Sequence, residues 1–309
     1  MEQTVSLNVV EKKGREPDPG HARRLFYDRC GRYLFIASAC LMTLIIFSII
    51  FFVGKQGLLT FADVSPLDFF TSATWNPTDK QFGALSFIVG SLETTLLSVA
   101  IGTPLGLLGA IFLAKLAPAP VKRIMRPAVD LYVAIPSVVY GYVGLTLFVP
   151  FLRSTFQTPQ GFGVLAASLV LAIMIMPTIL SISTDALNAV PRPMEEASLA
   201  LGATWWQTMI HVILPAALPG VMTSVVLAMA RAVGETMAVQ MLIGNTPQIA
   251  TSLFMPTATL TSDIVVEMGN TPFGSPWGNA LFLMAFVLLV LSLGMILLIR
   301  YFTGKRVVA

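Results

Sequence analysis

The chain has 309 residues, of which 55% are hydrophobic and only 11% charged, with a formal net charge of +3. Soluble domains carry about 25% charged residues. A depletion this deep, with the charges clustered, excludes an ordinary soluble domain. The small positive balance forms no basic stripe, which argues against a nucleic-acid partner. Cys30 and Cys40 lie at or inside the first apolar run, and His21 and His211 stand far apart. Neither a disulfide nor a metal site is expected.

Residues 1–32 form a polar tail of mixed charge, too long and too acidic for the n-region of a signal peptide. Six apolar runs then follow, each at or near the roughly 20 residues needed to cross a bilayer. They cover about 33–53, 85–116, 129–152, 162–183, 219–243 and 279–302. The prediction is an all-α polytopic membrane protein: a tail, a first span at 33–53, and a transmembrane core over 85–303. Membrane lipid is its surrounding medium.

Orientation follows from the connecting segments, because Lys and Arg accumulate on the cytoplasmic side. Lys12, Lys13, Arg15, Arg23, Arg24, Arg29 and Arg32 precede the first span, and Lys115, Lys122, Arg123 and Arg126 follow the second. Arg192 follows the fourth, and Arg300, Lys305 and Arg306 close the chain. The opposite side has only Lys55, Lys80 and Arg153. Both termini are therefore expected to be cytoplasmic. On the outer side, Trp75 and Trp277 near span ends read as membrane-interface anchors. Glu93 falls near the outer third of span two, while Asp130 and Asp185 sit near cytoplasmic span ends.

The connector at 184–218 is longer than a turn requires and carries its own helical signals. Pro193 suits a first helical turn, and Glu195 and Glu196 suit a helix N-terminus. Gly202 falls where a left-handed terminal residue is needed. Thr204 and Gln207 have capping-box spacing, predicting a second helix that carries Trp205 and Trp206 and stops before Pro215. Glu196-Ala197-Ser198, three residues, Gly202, nine residues and Val212-Ile213-Leu214-Pro215 follow one another here. This stretch resembles the EAA loop of ABC importer permeases, departing from it at Ser198 and Val212. The resemblance implies a type I importer fold. It also implies that Glu196, Ala197, Gly202, Leu214 and Pro215 belong to a coupling element that docks on a separate ATP-binding subunit. The chain has no G-x-x-x-x-G-K-[ST] phosphate loop, since Gly304-Lys305 is followed by Arg306. No catalytic residue and no cofactor is expected in this chain, and ATP and Mg belong to that partner.

Arg231 and Glu235 lie in span five, where a charge costs roughly 2.5–3.5 kcal/mol on insertion scales. A helical spacing of four would place them on one face, either as a packing ion pair or as an anion site. In the second case Arg231 offers a donor fork, and Glu235 orients it or accepts a proton. The run Ala230-Arg231-Ala232-Val233-Gly234-Glu235-Thr236 resembles the R-A-x-G-E-T segment of phosphate-specific transport permeases, and Ile135-Pro136-Ser137-Val138-Val139-Tyr140-Gly141 resembles a second motif of that family. Pro136 would kink span three, and Ser137 and Tyr140 would add hydroxyls to a path. Thr236-Met237-Ala238-Val239, Ile243-Gly244-Asn245 and Thr259-Leu260-Thr261-Ser262 resemble the C-type subunit, PstC, more than the A-type. The resemblance covers about 65–303. It implies translocation of inorganic phosphate across a bacterial inner membrane, with a homologous A-type permease, two ATP-binding subunits and an external phosphate-binding protein as partners. Another oxyanion (molybdate, sulfate or phosphonate) and a gradient-driven anion carrier or channel are the alternatives.

Overall fold

The structure is a computed structural model that describes the backbone of residues 19–307 and the side chains of residues 27 and 29–301. Lys12, Lys13 and Arg15 of the tail, and the side chains of His21, Arg23, Arg24, Lys305 and Arg306, lie outside the described residues. The chain divides into two units, Met1–Phe52 and Val53–Ala309. In the first unit the described chain is helix α1 (Pro19–Leu58), which runs on past the unit boundary. Its side chains from 32 to 49 are exposed and almost all apolar. A helix apolar on every side suits lipid rather than water. Two of its hydroxyls are satisfied internally: Ser38 donates to the Leu34 carbonyl at 2.9 Å and Thr43 to that of Ala39 at 2.8 Å.

The second unit continues with α2 (Pro66–Thr71) and a hairpin of β1 (Trp75–Asn76) and β2 (Gln81–Phe82), in which Trp75 pairs with Phe82. Next come α3 (Leu85–Ile111), ending in a π-turn at Phe112–Leu116, and α4 (Ala119–Val133). Helix α5 (Ser137–Val143) joins α6 (Val149–Phe156) through a π-turn, and α7 (Val164–Asn188) follows. Helix α8 (Arg192–Ala200) precedes α9 (Trp205–Thr208), which passes through a π-turn at Met209–Ile213 into α10 (Leu214–Gly234). The chain closes with α11 (Met237–Ile243), α12 (Leu260–Met268) and α13 (Pro276–Val307).

Among the described residues, six helical runs are long and apolar enough to cross a membrane: Arg29–Ala62, Leu85–Leu116, Ser137–Phe156, Val164–Asn188, Trp205–Gly234 and Pro276–Tyr301. The expected number of spans holds, but several boundaries move: the first run ends at Ala62 rather than near 53, the fifth ends at Gly234 rather than near 243, and the starts of the third and fifth shift. The third span starts at Ser137 rather than near 129. Pro136 forces the residue before it out of helical geometry, so the anticipated kink is a complete break between α4 and α5. The fifth run begins at Trp205 because the second helix of the 184–218 connector does not stop before Pro215. A proline inside a helix lacks an N–H and crowds the carbonyl four residues back. The wider turn at Met209–Ile213 relieves that crowding, and the helix continues.

Helix α7 is the hub, packed along α3 and α10. Val170, Met174, Ile175, Ala228, Ala232 and Leu242 belong to one buried cluster. Each large side chain there contributes about 1.5–3 kcal/mol relative to exposure in water. Within a bilayer, packing and polar contacts matter more. The Ser183 and Ser224 hydroxyls meet at 2.8 Å between α7 and α10.

The segments after the first span and before the last are not plain loops. Phe69, Trp75, Phe82, Phe87, Leu260, Leu281 and Met284 form a second buried cluster. The two tryptophans are not simple interface anchors: both indole N–H groups donate to the Glu267 carboxylate, Trp75 at 3.0 Å and Trp277 at 2.6 Å. Trp75 is only 9% exposed, and a buried indole needs an acceptor. Glu267 thus ties β1, α12 and α13 together.

Candidate functional site

Fifth-span helix α10 stops at Gly234. Glu235 is its C-cap, with φ −71° and ψ 128°, an extended backbone. Met237 starts α11, so the span is discontinuous between its two motif charges. This corrects the expectation that Arg231 and Glu235 share one helical face. The described residues contain two ion pairs, Lys115–Glu195 and Arg126–Asp185, and neither includes Arg231 or Glu235. The packing ion pair is therefore not formed.

Each charge is held separately. Arg231 is half-buried, and its Nη1 donates to Thr178 Oγ1 on α7 at 3.5 Å. Glu235 Oε1 accepts from the backbone N–H of Ala238 at 3.4 Å, and the Glu235 carbonyl accepts from Thr261 Oγ1 at 3.1 Å. The break is thus tied to α11 and α12. A neutral hydroxyl and no carboxylate faces Arg231, which leaves most of its donor fork free for an anion.

Tyr140 Oη donates to the Tyr132 carbonyl at 2.7 Å, spanning the break before α5. That hydroxyl holds the α4–α5 junction. Ser137 is the first residue of α5, half-buried, and shares a face with Tyr140 three positions on. Gly141 closes this face against α11: a Cβ there would lie 3.1 Å from the Ala238 Cα and 2.8 Å from Met241 Sδ. Arg231 and Thr178 thus meet from α10 and α7, while Ser137 and Tyr140 stand on α5, which packs on α11 just past the break. Glu235 points into the first turn of α11 instead. Thr178 escaped the sequence reading. The one available signal was its place directly after Pro177 inside an apolar span.

The second candidate element is the 192–214 hairpin. Gly202 has φ +83°, the left-handed geometry expected after α8, and accepts no strain because it lacks a Cβ. Thr204 and Gln207 complete the capping box: Gln207 N donates to Thr204 Oγ1 at 3.3 Å, and Thr204 N to Gln207 Oε1 at 2.8 Å. Ser198, the departure from E-A-A, is used. Its hydroxyl lies 3.0 Å from Thr208 Oγ1 and links the two arms. Glu195 accepts from Lys115 Nζ at 2.7 Å, fastening α8 to the end of α3. That pair is separated by 80 positions, so no local pattern announced it.

Glu196 and Ala197 are exposed on α8, and Met194, Leu199 and Leu201 are exposed apolar neighbours. Leu201, 89% exposed at the tip, is an apolar knob without a seat in this chain. Leu214 is half-buried and packs on the cluster of Ala110, Leu187, Met209 and Ile213, while Pro215 sits exposed at the start of α10. Glu196, Ala197 and Gly202 thus belong to the exposed arm, Leu214 and Pro215 to its hinge into the membrane helix. Between α4 and the C-terminal part of α7, Arg126 and Asp185 pair at 3.5 Å and line a cavity of about 180 Å³ with Asp130.

Comparison with known proteins assigns the family. Residues 102–307 match the family described as binding-protein-dependent transport system inner membrane component. The chain is 48% identical over 280 residues to a probable ABC transporter permease protein, YqgH, of Bacillus subtilis (strain 168), covering 89% of this chain and 91% of the relative. It is 37% identical over 265 residues to the phosphate transport system permease protein PstC of Mesorhizobium japonicum, covering 80% of each. Among solved structures, a bacterial ABC transporter involved in import of the acidic polysaccharide alginate superposes with a TM-score of 0.60 at 16% identity, over 91% of this chain and 99% of that one. That likeness speaks to the fold alone. The matched segment holds the helix break, the α5 motif and the exposed hairpin, and the chain belongs to the family of binding-protein-dependent transport system inner membrane components, with PstC-type permeases among its relatives.

Proposed function

We propose that the protein is the membrane-spanning permease subunit of an ATP-driven importer that carries inorganic phosphate from an external binding protein to the cytoplasm. The observation that carries this is Arg231: a half-buried guanidinium at the break of a membrane helix, with no carboxylate paired to it among the described residues. An uncompensated cation at that depth is costly, and a passing oxyanion supplies the missing charge through bidentate hydrogen bonds. Broken membrane helices recur where transporters hold their substrates. Relatives named for phosphate transport support the choice of anion.

In this reading Arg231 binds the anion, while Tyr140, Ser137 and Thr178 supply hydroxyls beside it. Glu235 shapes the break and accepts a hydrogen bond when the anion arrives as the monohydrogen form. A homologous A-type permease completes the pore. Two ATP-binding subunits hold ATP and Mg and receive the 192–214 hairpin. Both termini lie on their side of a bacterial inner membrane. Their closure on ATP moves the hairpin, and the continuous helix from Trp205 to Gly234 delivers that motion to Arg231.

The test is uptake of labelled phosphate into proteoliposomes holding the whole complex, with binding protein on one side and ATP on the other. The expected result is ATP-dependent uptake resistant to excess molybdate, sulfate and phosphonate. Stronger competition by one of those anions would reassign the substrate. Uptake by the purified chain alone, without ATP, would make it a carrier or channel.

A further inference from the structure

On the side opposite the 192–214 hairpin, the turn after α6 folds back onto that helix. Gln157 ends α6 in left-handed geometry, and Gly161, with φ +77°, lies against the backbone of Val149 and Arg153. This places Arg153 and Gln160 across from the end of α11. Together with Phe162, Gln240, Met241 and Asn245 they line a cavity of about 500 Å³. That volume lies in the range of small-ligand sites.

The lining has one sign. Arg153 has no ion pair among the described residues, and no Asp or Glu lines the cavity. Gln160 and Gln240 add amide donors. Asn245 is oriented by a 2.8 Å hydrogen bond from its Nδ2 to the Gln240 carbonyl. Elsewhere on this side the other basic side chain in a cavity, Lys80, faces Asp63 and Asp68, which offset its charge. The two sites therefore differ in what they attract. A cavity with a lone guanidinium and amides raises the local concentration of small anions.

Its position gives the cavity a use. Gln240 stands on α11, the helix that begins at the break beside Arg231, and Met241 packs on Gly141 of the α5 face that carries Tyr140. One short helix therefore joins the cavity to the Arg231 site.

We infer that Arg153, with Gln160 and Gln240, forms an entry subsite that holds a tetrahedral oxyanion before it reaches Arg231. This rests on the proposed direction of transport and on an anionic substrate. The anion exchanges its outer waters for the guanidinium and amide donors, then passes along α11. Arg153 is exposed, so its replacement leaves the fold intact.

The experiment compares wild type, Arg153→Gln and Arg153→Lys as whole complexes in proteoliposomes, reading both labelled phosphate uptake and ATP hydrolysis across a titration of phosphate-loaded binding protein. In Arg153→Gln, phosphate carried per ATP is expected to fall about tenfold, the cost of losing one charged hydrogen-bond donor. The half-saturating binding-protein concentration stays unchanged, and Arg153→Lys retains at least half of the uptake. Unchanged uptake in Arg153→Gln would overturn the subsite. So would a shift in the half-saturating binding-protein concentration, which would make Arg153 a docking contact for a carboxylate of that protein. Absence of phosphate uptake by wild type would instead defeat the transport reading itself, and is seen before any variant is compared.

Discussion

The helical run from Trp205 to Gly234 ends in an interruption on both sides, and the two interruptions are built differently. At its start, the hairpin is made by neighbours in sequence: a glycine at φ +83°, a capping box, and one hydroxyl contact between its arms. Its apolar tip, Leu201, is exposed. At its end, the break after Gly234 is held from elsewhere. Thr261 of α12 binds the Glu235 carbonyl, Thr178 of α7 meets Arg231, and α5 packs on α11. The first end is shaped mainly by local contacts and leaves an apolar tip exposed. The second is a site assembled by several helices of one chain, which keeps an uncompensated guanidinium in place. Joining them with one helix is mechanically sensible, since a push at the exposed end reaches the charged end without crossing a loop.

The sharpest way to break this comparison is at the charged end. Arg231→Gln removes the fork while keeping length and polarity. Uptake in proteoliposomes is expected to fall by roughly 100-fold, the loss of two charged hydrogen bonds, with subunit assembly on size-exclusion chromatography unchanged. Normal uptake would return Arg231 to a packing role. At the exposed end, Gly202→Val imposes a left-handed conformation on a β-branched residue. Nothing lies within 4 Å of the added Cβ, so the cost is conformational alone, about 1–2 kcal/mol. ATP hydrolysis should persist while transport per ATP falls severalfold, measured as the ratio of the two rates.

The fastening of the hairpin to α3 is a weaker lever. The side chains of Lys115 and Glu195 are 15% and 24% exposed. Lys115→Met and Glu195→Gln should each lower the thermal midpoint of the detergent-purified complex modestly. Their coupling in a double-mutant cycle should be about 1 kcal/mol. A value near zero would leave the hairpin held by its caps alone.

A pH-dependent effect is expected in α12. Asp263 is buried, its Oδ2 has no hydrogen-bond partner among the described residues, and desolvation with the nearby Glu267 charge pushes its carboxyl up to about 8. A raised carboxyl binds its proton more tightly folded than unfolded. Its contribution to stability is therefore fully present below the ordinary carboxylate range, declines as pH rises from about 4 towards 8, and levels off above that. Asp263→Asn should flatten this decline and raise the midpoint slightly at pH 8, followed by tryptophan fluorescence. An unchanged pH slope would show that Asp263 is not the group responsible.

Much of the fold was legible from residue pattern. Apolar runs of bilayer length marked six membrane helices, because lipid admits only segments whose backbone bonds close internally. The hairpin was legible too, since Pro193, Gly202, Thr204 and Gln207 act on backbone within a turn or two of themselves. The fate of Pro215 was not. Whether a helix stops or widens at a proline depends on what buries the next turn, here Ile213, Leu214 and Ala217 against Ala110 and Leu187.

The sequence alone determined that this protein lives in a membrane, that one connector carries helical punctuation and an exposed-loop motif, and that Arg231 and Glu235 stand in a costly place. Tertiary structure decided the rest. It ended the helix between those two charges, brought Thr178 to Arg231, and turned Trp75 and Trp277 inward onto Glu267. The reason is range. Caps, turns and apolar runs are set by neighbours along the chain, whereas the partner of a buried charge is whichever distant side chain packing brings within hydrogen-bond reach.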